Sequence, residues 1–299
     1  MKSVLLVNLG TPAAPTTPAV KEYLAEFLSD PRVVALPRWL WLPVLNRLVL
    51  PRRAPQSAEK YAQIWLPEGS PLAVYTARMA KALGERLRLP VAYAMRYGKP
   101  AITATLARMD DPLVLPLYPQ YAESTTGSVL AELPANARAV REFHADPAYI
   151  GALGATVRRH WAQHGRAPML LISFHGLPKR GAQDYEAQCR ETARLLARAL
   201  ELNDAAWRVT FQSRFGYARW LQPATEPTLI ELARAGARRV DVVCPGFPAD
   251  CLETLEEIGL RARERYREAG GETLGLIPCL NDAPEWIAAL AAISGRASP

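Results

Sequence analysis

The sequence predicts an α/β fold: two similar halves, each a parallel sheet flanked by helices. Three observations predict it. Short apolar runs alternate with longer amphipathic ones, the pattern of βαβ units. The chain has 299 residues, about two domains at roughly 150 residues each. The strand–helix alternation also runs in two consecutive sets, with no sequence repeat between them.

Strands are expected at residues 4–9, 91–95 and 112–118, then at 169–173, 207–212 and 240–245. Helical periodicity fills the intervals at 18–28, 76–87, 102–109, 147–164, 184–202, 225–235 and 251–269. A boundary near Ile150 separates a first half, 1–150, from a second half, 151–282. The last helix, within 283–299, is expected to return to the first half.

One segment breaks the rhythm. Residues 36–50 are apolar and carry Trp39 and Trp41, with Arg38, Arg47, Arg52 and Arg53 close by. Pro37 and Pro43 interrupt it, and it is too short to span a bilayer. Two readings stay open: an exposed lip, about 36–55, that rests on a membrane surface or covers an apolar ligand, or an ordinary buried helix pair.

Composition narrows the function. Apolar residues make up 49% and charged residues 22%, which supports a sizeable core and argues against disorder. No stretch approaches the ~20 consecutive apolar residues of a membrane span. The apolar run that follows Lys2 stops at Asn8, too soon for a signal-peptide core. The expected location is therefore the cytoplasm, with peripheral contact at the inner membrane through the Trp-rich segment. Four cysteines, Cys189, Cys244, Cys251 and Cys279, lack C-x-x-C spacing, against a disulfide framework or a cysteine-ligated cluster. The net charge of +7 favours anionic partners. No basic patch is interleaved with aromatics, so nucleic acid is not expected.

In open α/β sheets, ligands sit at the carboxyl ends of strands. His175 emerges there, after residues 169–173, where a Gly/Pro turn begins. It reads either as a base facing the cleft between halves or as a turn histidine capping local backbone. After residues 240–245 comes a second candidate. Asp250, Glu253 and Glu257, at i, i+3 and i+7, would share one helix face. Such a carboxylate stripe suits a hard divalent cation. The same spacing also fits a capping box, with Asp250 as N-cap and Glu253 at N3. His160 and His164 lack the glutamate of H-E-x-x-H and read as last-turn histidines. There is no G-x-S-x-G, G-x-G-x-x-G or Walker A motif, so neither a serine hydrolase nor a nucleotide site is expected.

With those residues in hand, the chain resembles the ferrochelatases, which insert ferrous iron into a porphyrin. The resemblance runs nearly end to end through Asn8-Leu-Gly-Thr-Pro12, Tyr118-Pro-Gln-Tyr121, Ser124-Thr-Thr-Gly-Ser128 and Ser173-Phe-His-Gly-Leu-Pro178. It continues in Phe211-Gln-Ser-Arg-Phe-Gly216, Trp220-Leu-Gln-Pro-Ala-Thr225, Asp250-Cys-Leu-Glu-Thr-Leu255 and Leu280-Asn281. It implies two Rossmann-like halves with the porphyrin in the cleft between them. It assigns catalysis to His175 and Glu253, and metal handling to these two with Asp250 and Glu257. It places Arg53, Tyr61, Ser70, Arg96, Tyr97, Leu9 and Trp220 against the porphyrin. Fe²⁺ is then a substrate, and no resident cofactor or iron–sulfur cluster is expected, because the cysteine-bearing extension of animal relatives is missing. Leu9 stands where coproporphyrin-using relatives place a tyrosine, which points to protoporphyrin IX. Cys251 stands where several relatives have histidine. Two alternatives remain open: a chelatase for another pair, such as coproporphyrin III or sirohydrochlorin with its metal, or a non-catalytic tetrapyrrole carrier. Whether His175 accepts protons or ligates iron also stays open here.

Overall fold

The computed structural model describes residues 1–214 and 218–297. Phe215 and Gly216 of the motif above lie outside the described residues, as do the last two residues of the 283–299 segment. The chain divides into two compact units. The first holds Met1–Leu117, Ala122–Arg141 and the residues from Ser294, and the second holds Tyr118–Tyr121 and Glu142–Ile293.

The first unit is built on β1 (Ser3–Gly10), β2 (Val91–Tyr97), β3 (Pro112–Pro116) and β4 (Arg138–Ala139). They form one all-parallel sheet in the order β2-β1-β3-β4. Val4, Leu5, Leu6 and Val7 on β1 are all fully buried. This explains the continuous apolar run: a parallel sheet covered on both faces has no polar side. The helices are α1 (Thr17–Ser29), α2 (Arg38–Val44), α3 (Leu50–Ile64), α4 (Pro71–Leu87), α5 (Ile102–Leu106) and the single turn α6 (Ser128–Leu130). A π-helical turn, Leu45–Val49, joins α2 to α3. Gly10 ends β1 with φ +121°, and a Cβ there would fall 1.8 Å from the Tyr97 carbonyl oxygen. Only glycine closes that strand end.

The Trp-rich segment is part buried and part exposed. Leu45 and Leu50 are fully buried, whereas Trp39 is 79% exposed, and Leu36, Leu40 and Leu48 are also exposed. Pro43 does not end the helix; the π-helical turn follows within one turn of it.

The second unit repeats the topology. Its strands are β5 (Met169–His175), β6 (Trp207–Gln212), β7 (Arg239–Val243) and β8 (Thr273–Leu276), all parallel in the order β6-β5-β7-β8. Around them lie α7 (Pro147–His164), α8 (Gln183–Ala199), α9 (Thr225–Arg234), a π-helix (Glu253–Ala262) that runs into α10 (Arg263–Glu268), and α11 (Pro284–Arg296). Leu171, Leu229, Val240, Val242, Ile258 and Tyr266 belong to one buried cluster on this sheet.

Three sequence expectations shift. The division between units falls at 141/142, ahead of Ile150, and α7 begins at Pro147 with Asp146 accepting from the Ala148 N–H (2.9 Å). The last helix groups with the second unit as far as Ile293: Trp286 is fully buried, its ring centroid 6.0 Å from Phe143 and 5.9 Å from Tyr149. The short strands β4 and β8 were not anticipated, because two to four residues carry too little periodicity to read.

Candidate active site

Strand order places the site of the second unit. In β6-β5-β7-β8 the direction of winding reverses between β5 and β7, and the carboxyl ends of strands at such a point hold ligands. His175 is the last residue of β5. Its Nδ1 lies 2.6 Å from the Gly176 carbonyl oxygen. A carbonyl only accepts, so Nδ1 carries the hydrogen and Nε2 is the basic nitrogen of the neutral ring. The Tyr185 hydroxyl donates to the His175 carbonyl at 2.9 Å, and the Phe247 ring lies 6.3 Å from the imidazole. Gly176 donates its N–H to the Gln212 carbonyl (2.7 Å), and a Cβ on Gly176 would sit 2.7 Å from that same oxygen. Any side chain there would displace the histidine. The Trp220 indole covers the position, 3.3 Å from where that Cβ would be, and pairs with Pro178 in an antiparallel bridge.

Beneath His175 runs a buried chain of hydrogen bonds. Thr225 Oγ1 lies 3.0 Å from Thr210 Oγ1 and 2.8 Å from Ser173 Oγ. Ser173 Oγ donates to Gln212 Oε1 (2.7 Å), and Gln212 Nε2 donates to the Glu253 main-chain carbonyl (2.7 Å). Gln212 is 3% exposed, and buried polar groups left unpaired are costly, so the chain is over-determined. The motif Phe211-Gln-Ser-Arg by itself assigns Gln212 no role. A buried Gln at a strand end was the available signal.

The acidic helix departs from the expected stripe. Asp250 does not join it. Its carboxylate is buried, accepting from Thr254 Oγ1 (3.1 Å), the Cys279 N–H (3.3 Å) and Asn281 Nδ2 (2.7 Å), while its own N–H donates to Asn281 Oδ1 (2.9 Å). Those bonds hold Asp250 at the base of the helix, its carboxylate turned to Thr254, Cys279 and Asn281. The capping box is corrected. The Asp250 N–H, which the Glu253 carboxylate would accept in such a box, goes to Asn281 Oδ1 instead, and Thr254 Oγ1 accepts from the Cys251 N–H (3.0 Å). The half-buried Glu253 side chain is thereby released from capping. Hydrogen bonds of the i→i+5 type widen the π-helix, a form often found at functional sites. Glu253 and Glu257 fall four residues apart along it.

Glu257 accepts from the Ser213 N–H at Oε1 (2.7 Å) and from Ser213 Oγ at Oε2 (2.6 Å), with Arg261 3.4 Å from Oε1. Burial pushes its carboxyl above the usual glutamate value. The two Ser213 hydrogen bonds, Arg261 and His175 oppose that rise. Cys251 is buried, and burial holds its thiol well above the ordinary range, so it supplies neither an imidazole nor a ready thiolate. Among the described residues no three His, Cys, Asp or Glu side chains form a cage for a metal ion.

The remaining candidates belong to the first unit. There β2-β1-β3-β4 reverses between β1 and β3, and Leu9 lies at the carboxyl end of β1, half-buried, its N–H on Asn8 Oδ1 (2.9 Å). Arg53 is half-exposed on α3. On the same helix Tyr61 is 8% exposed, its ring 6.1 Å from that of Trp65. Ser70 is buried and accepts from Thr11 Oγ1 (2.7 Å). Arg96 and Tyr97 turn inward. Arg96 Nη2 lies 2.5 Å from Asp30 Oδ2, and the Tyr97 hydroxyl donates to the same oxygen at 3.0 Å. Tyr97 is 1% exposed, so its ring faces the interior of the unit and not an open pocket.

This fold is that of the chelatases. It is similar to SirB from Bacillus subtilis, solved with Fe³⁺ (TM-score 0.58, 13% identity, 100% of this chain and 96% of that one). It is also similar to CbiX, the terminal enzyme of sirohaem biosynthesis in denitrifying bacteria (TM-score 0.54, 18% identity, 99% and 100%). Within that class the chain belongs to the ferrochelatase family, whose family model matches residues 1–297. The ferrochelatase of Aromatoleum aromaticum is 53% identical over 310 aligned positions, 96% of this chain and 85% of the relative. That of Xylella fastidiosa is 49% identical over 314, covering 99% and 98%. Ferrochelatases are lyases that carry out the last step of haem biosynthesis, iron insertion into a porphyrin.

Proposed function

We propose that this chain inserts Fe²⁺ into protoporphyrin IX to form protohaem, with His175 accepting the pyrrole protons and Glu253 and Glu257 handing over the ferrous ion. A free-base porphyrin holds two N–H protons in the ring plane, where a metal cannot approach. Bending a pyrrole out of plane exposes a lone pair and an N–H. Tight packing imposes such strain, about 1–5 kcal/mol, from binding energy elsewhere on the macrocycle. A base then takes the protons, and an imidazole with an ordinary value near ~6.5 suits neutral pH.

The single observation that carries this reading is the Nδ1 bond of His175 to the Gly176 carbonyl (2.6 Å), which leaves Nε2 as the basic nitrogen of the ring. Leu9, without the phenol of coproporphyrin-using relatives, supports protoporphyrin IX as substrate. In this reading Fe²⁺ is substrate, and the reaction uses no resident cofactor. Arg53, Tyr61, Ser70 and Leu9 remain the proposed porphyrin contacts of the first unit, and Trp220 that of the second.

The exposed face of Leu36, Trp39, Leu40 and Leu48, with Arg38 and Arg47 among them, supports peripheral contact with an anionic membrane surface. Among the described residues no helix is long and apolar enough to cross a membrane.

The test is anaerobic incubation with protoporphyrin IX and Fe²⁺, following the haem absorption spectrum. Wild type turns over, and His175→Ala binds porphyrin but loses insertion. Near-normal turnover of His175→Ala refutes the proton-acceptor role. Stoichiometric binding by wild type without turnover identifies a carrier, and inertness a chelatase for another macrocycle.

A further inference from the structure

We infer that Asp30 is a positioning residue for the apolar lip, locking the base of that segment to the sheet through Arg96 and Tyr97. The inference rests on the porphyrin reading above for its kinetic consequence and on the first unit alone for its geometry.

The argument begins at the end of a helix. The last carbonyls of any α-helix lack intrahelical donors. In α1 the lip supplies two of them. Trp41 Nε1 donates to the Leu28 carbonyl (2.7 Å), and Arg38 Nη1 donates to the Ser29 carbonyl (2.7 Å). The lip helix is therefore hung on the C-terminal turn of α1. The next residue, Asp30, leaves the helix in an extended conformation (φ −71°, ψ 125°) and starts the connection to the lip. Its main-chain carbonyl accepts from the Val33 and Val34 N–H groups, both at 3.0 Å, and Oδ1 accepts from the Arg32 N–H (2.8 Å).

The other carboxylate oxygen faces inward. Oδ2 takes Arg96 Nη2 (2.5 Å) and the Tyr97 hydroxyl (3.0 Å) from the end of β2, and Arg96 Nε reaches the Ser128 carbonyl (2.9 Å). The Asp30 and Arg96 side chains are 6% and 11% exposed, so the pair is largely withdrawn from water and its geometry is held by several hydrogen bonds at once. Three consecutive residues, Leu28, Ser29 and Asp30, thus link the lip to the carboxyl edge of the sheet. A lip held this way is ordered before the macrocycle arrives, and binding does not have to supply that ordering.

Asp30→Asn is the direct test. An asparagine of the same shape offers one acceptor where the carboxylate offers two, so its NH₂ must face either the Arg32 N–H or the Arg96 and Tyr97 donors. The expected result is a KM for protoporphyrin IX raised about tenfold with kcat changed less than about threefold, and faster tryptic cleavage within residues 32–53. Because loss of a nearly buried charge can unfold the unit, Trp41→Phe provides a second arm. It keeps an aromatic ring, smaller than the indole, and deletes the donor to Leu28, and a smaller KM rise in the same direction is expected. Wild-type KM and tryptic rate in Trp41→Phe, together with wild-type values or unfolding in Asp30→Asn, overturn the inference. So does a kcat loss with KM unmoved. If wild type is inert toward porphyrin while Asp30→Asn still exposes the lip to trypsin, the clamp stands and the porphyrin reading falls.

Discussion

Gln212 donates its Nε2 hydrogen to the main-chain carbonyl of Glu253 at 2.7 Å. Gln212 is also the register partner of His175 in the β5–β6 pairing. One buried amide therefore ties the strand that presents the base to the helix that presents the acid. Gln212→Leu keeps the volume and leaves the Ser173 hydroxyl and the Glu253 carbonyl without this partner. The expected cost is about 3 kcal/mol, at 1–3 kcal/mol per unsatisfied buried group, with iron insertion falling beyond what the loss of folded protein explains. Urea melts paired with initial rates check it, and unchanged stability would detach the amide from both roles.

Thr254 and Glu253 separate capping from chemistry. Thr254→Val deletes the hydroxyl that bridges the Cys251 N–H and the Asp250 carboxylate, and should cost about 0.5–2 kcal/mol. Glu253→Gln should leave stability within about 0.5 kcal/mol and slow iron insertion. Equal destabilisation by the two variants would make Glu253 a structural residue.

Glu257 titrates above its unfolded value because it is buried. A raised carboxyl stabilises the fold most when protonated, below the unfolded value near ~4.3, and that contribution is lost as pH rises through the folded value. Wild type should therefore lose stability relative to Glu257→Gln as pH is raised across that window. Chemical denaturation of both at several pH values measures the difference. A difference that does not change with pH contradicts the assignment.

Trp39, 79% exposed, can be changed without disturbing the core. Trp39→Ser should reduce co-sedimentation with anionic phospholipid vesicles by about threefold or more and leave thermal stability unaltered. Equal sedimentation of the two proteins would remove the lip from any membrane role.

Much of this was legible in the chain itself. The buried Val4–Val7 stretch and its counterparts read as strands because residues covered on both faces must all be apolar. His175 stood out because a strand end before a Gly/Pro turn is where α/β sheets hold ligands, and a turn histidine fitted the same place. Asp250 stands apart from the expected stripe for an equally physical reason. The i, i+3, i+7 spacing assumes an α-helix that already includes Asp250, whereas the helix begins beyond it and widens into the π form.

The order of residues alone determined the secondary-structure rhythm, the family, and which histidine stands at a strand end and which glutamates follow β7, since these depend on local periodicity and motif. Only the folded chain decided that Asp250 faces Asn281, that Gln212 reaches Glu253, and that Arg96 and Tyr97 close on Asp30. Those pairs lie 31, 41, 66 and 67 residues apart. Partners so distant are chosen by which donors and acceptors must be satisfied once water is excluded, and that selection exists only after the sheets and helices have packed.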